Sequence, residues 1–178
     1  MALNGSFVLN GADYAPLTFP GIGTFMAFSG NGANRNRAGC SHIPTIGPLP
    51  PGKYWIVDRE QGGFYARSVS GTKDLYNKVK VFHDAQFGHA DWFALWRDDL
   101  GIDDWTWING IKRGNFRLHP GTVSEGCITL YRSSDFEVLR NSLLGTSLID
   151  VPCMKSLKAR GFIEVQRHVY GDTCPTRS

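Results

Sequence analysis

The sequence predicts a mainly β chain, folded as a β-sandwich or partly closed barrel with one clear helix at about residues 134–144. Three observations carry that prediction. Short runs rich in aromatic and β-branched residues recur along the chain, and Gly, Pro and Asn cut them apart. Apolar residues at helical spacing are well signalled once only. At 178 residues a single domain spanning 1–178 is the expected organisation, and the chain is long enough to bury its own core.

In chain order, the first half offers strands at Ser6–Leu9, Thr24–Phe28, Lys53–Asp58, Phe64–Arg67 and Lys78–Phe82. A polar loop, Gly30 to Gly39, closes an N-terminal section of strands and loop over 1–40, and the stiff turn Gly47 to Gly52 launches Lys53–Asp58. Trp92–Arg97, Asn115–His119 and Cys127–Tyr131 read as further strands. In the helix, Ser134 with Glu137 three residues on forms a capping box, Phe136, Leu139 and Leu143 line one face, and Gly145 takes the position just past the end. Ser147–Val151 and Phe162–Tyr170 complete the set. Neither a repeat nor a low-complexity stretch nor a linker divides it.

Composition narrows the function classes. The chain has 19 Lys and Arg against 16 Asp and Glu, giving a net charge of +3 and a pI near 8.7, with 42% hydrophobic residues. Disorder, collagen and coiled coil are excluded. No apolar run is long enough to span a bilayer, and no Lys/Arg block points to nucleic acid. The opening MALNGSFVLNGADYAP has no basic start. Gly5, Asn10 and Asp13 interrupt any apolar segment, so the chain reads as lacking a conventional export signal. Cys40, Cys127, Cys153 and Cys174 match no zinc spacing. Cys153 and Cys174 flank the last strand and are the favoured bridge; reduced, buried thiols are the other reading.

The stretch Arg117-Leu-His-Pro-Gly-Thr-Val-Ser-Glu-Gly-Cys-Ile-Thr-Leu130 carries the chemistry. A thiol is a poor nucleophile until deprotonated, so a working Cys127 needs a base such as His119 within reach. If the two strands are antiparallel neighbours joined by a tight loop, the pair meets at one end of a sheet. Gly126 lets backbone approach a substrate carbonyl, and the N–H groups around Glu125, Gly126 and Cys127 are candidates for an oxyanion hole. Ser124 either bonds within the loop or orients the imidazole.

Ser-x-Gly-Cys, preceded by a His on the neighbouring strand, resembles the signature of L,D-transpeptidases, thiol enzymes that act on peptidoglycan stem peptides. Asn109-Gly-Ile-Lys-Arg-Gly-Asn-Phe-Arg-Leu-His-Pro120 followed by Ser-Glu-Gly-Cys-Ile-Thr129 is similar to a branch of that family delivered by type VI secretion. Gly-Pro-Leu-Pro-Pro-Gly-Lys-Tyr-Trp-Ile, 47–56, recurs there too, so the likeness spans roughly 41–165. Two departures from the housekeeping enzymes stand out. Glu125 sits where they carry His, and the step from His119 to Cys127 is shorter.

The resemblance implies an L,D-transpeptidase-like fold and an antibacterial toxin working in the periplasm of a rival cell. Cys127 would attack the carbonyl of the third stem residue with His119 as base and then acid, releasing the terminal D-alanine. Water or a free D-amino acid would resolve the thioester. No cofactor or metal is implied. A cognate immunity protein and the secretion machine are the implied partners, and the machine supplies the export route that the opening residues do not. Two other functions remain: a non-catalytic peptidoglycan-binding module, or a papain-like amidase or endopeptidase. The second is disfavoured because those enzymes place Cys before His in the chain.

Lys112, Arg113 and Arg117 lie just upstream of His119; Arg113 and Arg117 are candidates to bind stem carboxylates, against the alternative of a solvated strand face. Asp98, Asp99, Asp103 and Asp104 fit no calcium loop and read as loop residues. His83 and His89, near Asp84 and Asp91, lack an obvious third ligand and read as surface loop. Trp92, Trp96, Trp105 and Trp107 read as core and rim aromatics, with no sequence signal for which one borders a substrate groove.

Overall fold

The structure, a computed structural model, describes residues 2–59, 87–99, 101–152, 154–168 and 173–175. The expected mainly β architecture is present, and the barrel closes fully rather than partly. Eight strands form it: β1 (Leu3–Leu9), β2 (Ala15–Phe19), β3 (Gly23–Phe28), β4 (Gly52–Asp58), β5 (Phe93–Arg97), β8 (Arg117–Pro120), β9 (Ile128–Leu130) and β12 (Gly161–Arg167), in the order β1-β12-β4-β5-β8-β9-β3-β2. A hairpin, β6 (Trp105–Ile108) and β7 (Ile111–Gly114), and a second pair, β10 (Ile149–Val151) and β11 (Met154–Ala159), stand outside the barrel. Neighbouring barrel strands run antiparallel except for β1 with β12 and β8 with β9. The expected strands at Phe64–Arg67 and Lys78–Phe82 lie outside the described residues. Among the described residues no helix is long and apolar enough to cross a membrane.

Alternation builds the interior. In β2, Ala15, Leu17 and Phe19 point inward while Pro16 faces out, paired with Met26 of β3. Phe7, Tyr54, Leu95, Leu118, Ile128 and Ile163 meet them in one apolar core. β4 and β5 are buried on both faces. Their outer residues Trp55, Val57, Ala94 and Trp96 pack under β10 and β11 through Val151, Leu157 and Ala159. That explains why β4 reads as a continuous apolar run, Tyr-Trp-Ile-Val, rather than an alternating one.

The helix α1 runs Ser133–Leu144 and buries Phe136, Leu139 and Leu143, the face anticipated from spacing. Its ends differ from expectation. Arg132 is the N-cap, no side chain caps it, and Ser134 therefore sits inside the first turn instead of forming a box with Glu137. Gly145 keeps a right-handed φ of −74°, its N–H bonding back to Asn141 O, so glycine's left-handed freedom is unused there. The disulfide also differs: Cys174 bonds to Cys40, not Cys153. Cys153 lies outside the described residues. Cys40 is fully buried at the end of a short 3₁₀ turn, which places it to receive the C-terminal tail.

Candidate active site

His119 and Cys127 lie at β8 and β9, and these strands are parallel, not antiparallel. The loop between them folds back alongside β8 and re-enters in the same direction. Leu118 pairs with Ile128, both in the core, so His119 and its partner Thr129 turn to the outer face of the barrel. One step back, Cys127 takes the same outer face, level with Arg117. The thiol and imidazole residues are thus diagonal neighbours on one face. Strand spacing and rise put such Cα atoms about 8 Å apart, a gap their side chains can close.

A row of three crosses this face. β5 pairs antiparallel with β8 through Phe93 and Leu118. Extending that register by one sets Trp92 opposite His119, as Thr129 is on the other side. The contacts agree: Trp92 stacks on His119 with ring centroids 4.2 Å apart and planes 19° apart, and Thr129 Oγ1 lies 3.2 Å from His119 Nε2. His119 Nδ1 is 2.9 Å from Pro120 O. A carbonyl only accepts, so Nδ1 carries the proton and Nε2 keeps the lone pair, receiving the Thr129 hydroxyl. In this resting arrangement both ring nitrogens are partnered by groups other than Cys127.

The thiol is half-buried and approaches Asn115 O at 3.8 Å. Asn115 presents that carbonyl from a left-handed backbone, φ 56°, where the chain leaves β7 for β8. Burial pushes the Cys127 thiol up to about 11, against the downward pull of the Arg117 guanidinium and backbone amide. Burial also lowers His119 to about 4, partly offset by its bond to Pro120. At neutral pH the pair therefore rests as neutral thiol and neutral imidazole.

The other candidates serve the loop's shape. Ser124 is buried, accepts from Gly30 N–H at 3.2 Å and donates to Cys127 O at 2.8 Å, so it bonds within the loop and not to the imidazole. Gly126 has φ 93°, and a Cβ there would lie 2.7 Å from Arg113 Nη2. No other residue type fits that seat easily. Arg113 is itself buried, donating to Ser41 O and Pro48 O through Nη1 and to Gly47 O at 3.1 Å through Nη2. Arg117 is held bidentately by Asp104 at 2.6 and 2.7 Å and also donates to Phe116 O. Both guanidiniums, candidates for stem carboxylates, are thus spent on protein partners beside the thiol.

The remaining polar clusters are likewise engaged. Asp98 pairs with Lys53, Asp99 accepts from Thr106, Asp103 accepts from Trp105 N–H, and Asp91 pairs with Arg140. His89 packs on the indole of Trp92, with centroids 4.2 Å apart; His83 and Asp84 lie outside the described residues. Trp92 and Thr129 are the residues of this candidate site that sequence reasoning missed. Trp92 appeared there as one of four undifferentiated tryptophans, and nothing short of the β5–β8 register singles it out.

Comparison with known proteins gives one family. The family model described as the Tlde1 domain matches residues 23–154, well over half the chain and a span that includes Trp92, His119, Ser124, Cys127 and Thr129. No curated protein matches the chain.

Proposed function

The chain belongs to the Tlde1 domain family, a family of type VI secretion effectors, and from that premise we propose that it is an antibacterial enzyme that trims peptidoglycan stems with Cys127 as nucleophile. The observation that carries the reading is the shared outer face of β8 and β9. There a thiol outside the disulfide lies diagonal to an imidazole whose tautomer leaves Nε2 as the basic nitrogen.

The chemistry runs as an acyl transfer. His119 Nε2, once it gives up the Thr129 hydroxyl, takes the thiol proton as Sγ attacks the carbonyl carbon of the L-centred third stem residue. Burial disfavours both a free thiolate and an imidazolium, which supports a transfer that accompanies attack. The backbone N–H groups at Gly126 and Cys127 stabilise the oxyanion. Collapse expels the amine of the terminal D-alanine, which takes the proton from His119, and leaves a thioester on Cys127. Water, deprotonated by His119, hydrolyses it and restores the thiol. A free D-amino acid in place of water gives exchange. Arg113 and Arg117 act here by shaping the loop and by favouring the thiolate, rather than by gripping substrate.

The Cys40–Cys174 disulfide supports action in an oxidising compartment, which fits the periplasm of a target cell. β1 and β12, from opposite ends of the chain, pair within one barrel, which supports reading 1–178 as one catalytic domain. An immunity protein in the producer and components of the secretion machine are the expected partners.

The test is mass spectrometry of purified tetrapeptide muropeptides incubated with wild type and with Cys127→Ala. Loss of one D-alanine per stem with wild type alone is the expected result. Cleavage elsewhere in the stem points to an amidase. Unchanged toxicity of Cys127→Ala points to a binding module.

A further inference from the structure

The imidazole of His119 is fixed from three directions. Pro120 O holds Nδ1, Thr129 Oγ1 meets Nε2, and the indole of Trp92 covers one ring face at 4.2 Å. The hydrogen bonds act in the ring plane, and both break if the ring turns about its Cβ–Cγ bond. Such a turn must pass through an orientation perpendicular to the present one, and a flat indole stacked at van der Waals distance blocks that passage. His89 also contacts Trp92, with centroids 4.2 Å apart and planes tilted by 53°, so the indole touches both imidazoles.

We propose that Trp92 is a positioning residue for His119: it locks the ring plane and thereby fixes the tautomer that presents basic Nε2 on the face shared with Cys127. Its value for catalysis rests on the reading of Cys127 and His119 as the reacting pair. The mechanical part does not. A base that flips between tautomers offers the wrong nitrogen for part of the time, and misorientation of a catalytic group lowers turnover more than it lowers substrate binding.

The experiment uses the full chain as wild type, Trp92→Phe, Trp92→Leu and Trp92→Ala. Trp92 Nε1 has no acceptor among the described residues, so Trp92→Phe keeps a flat face and forfeits no hydrogen bond made there. Ring-nitrogen NMR of His119, assigned by comparison with His119→Gln, reads the tautomer at neutral pH. Kinetics of D-alanine release read kcat and KM separately. Wild type and Trp92→Phe are expected to show one Nδ1–H tautomer. Trp92→Leu and Trp92→Ala are expected to show averaged tautomers, kcat down about tenfold or more, and KM nearly unchanged.

A fixed tautomer in Trp92→Ala or Trp92→Leu overturns the proposal, and so does a Trp92→Phe variant that behaves like Trp92→Ala. If neither the Leu nor the Ala variant folds, Trp92 is a structural residue and the proposal is overturned as well. Should wild type release no D-alanine, the reaction assigned above fails while the nitrogen spectra still decide the role of Trp92.

Discussion

His119 is 7% exposed, has no opposite charge as its partner among the described residues, and is held in its neutral form by burial. This has a consequence for acid stability whose sign is fixed. The unfolded imidazole takes a proton at 6.5, whereas the folded one resists until about 4. As pH falls between those values the unfolded state binds a proton that the native state cannot, and stability is lost. The full difference is about 3 kcal/mol. In urea titrations from pH 7 to pH 4, wild type is expected to lose that increment and His119→Gln to lack it; parallel pH curves for the two would refute the assignment. Cys127 and His119 stand out in the sequence as a candidate pair because few side chains suit thiol chemistry and these two lie close along the chain. Trp92 and Thr129 do not. Their contacts with His119 come from strand pairing, and Trp92 is 27 positions away in sequence.

Among the elements, the loop from Gly121 to Cys127 decides the site. A tight turn would have made β8 and β9 antiparallel, as the short spacing suggested. The chain instead doubles back, bonded through Ser124 to Gly30 N–H and Cys127 O, with Gly126 seated against Arg113. Patterns of apolar residues give strand faces but not the path of a loop between them, so the parallel direction of β9 is not legible in the sequence. Ser124→Ala removes a fully satisfied hydroxyl and leaves a buried N–H unpaired, at a cost of about 1–3 kcal/mol. A matching drop in denaturant midpoint, with lower kcat on muropeptides, is expected; a midpoint equal to wild type would show that the loop holds its course without this bond. The hairpin β6–β7 has a sequence signal of its own. Asn109 and Gly110, at φ 51° and 77°, form the two-residue turn that an Asn-Gly pair between alternating runs announces. β11 was harder to see, since Met154–Ala159 reads Met-Lys-Ser-Leu-Lys-Ala with few β-formers, and only packing on Trp55 and Trp96 makes it a strand.

At the scale of the whole molecule, the C-terminal part of the chain is tied to the N-terminal part twice. β12 lies beside β1, and beyond it Cys174 is tied to Cys40, 134 residues earlier. Cys40 opens the segment through Gly47 whose carbonyls Arg113 grips, and Arg113 in turn supports Gly126 next to the thiol. The bridge thus reaches the loop of the candidate site through one short run of backbone. Closing so long a loop removes much of the unfolded chain's freedom, and loss of a native bridge of this kind costs about 2–4 kcal/mol. Cys174→Ser is expected to lower the denaturant midpoint by a corresponding amount in oxidising buffer. Adding dithiothreitol should bring wild type down to the variant and leave the variant where it was. A wild-type midpoint indifferent to reductant, with the bridge shown to be open by mass spectrometry, would mean that strand pairing alone secures the tail. Retained stability in a reducing cytoplasm would then remove the disulfide as support for a periplasmic site of action.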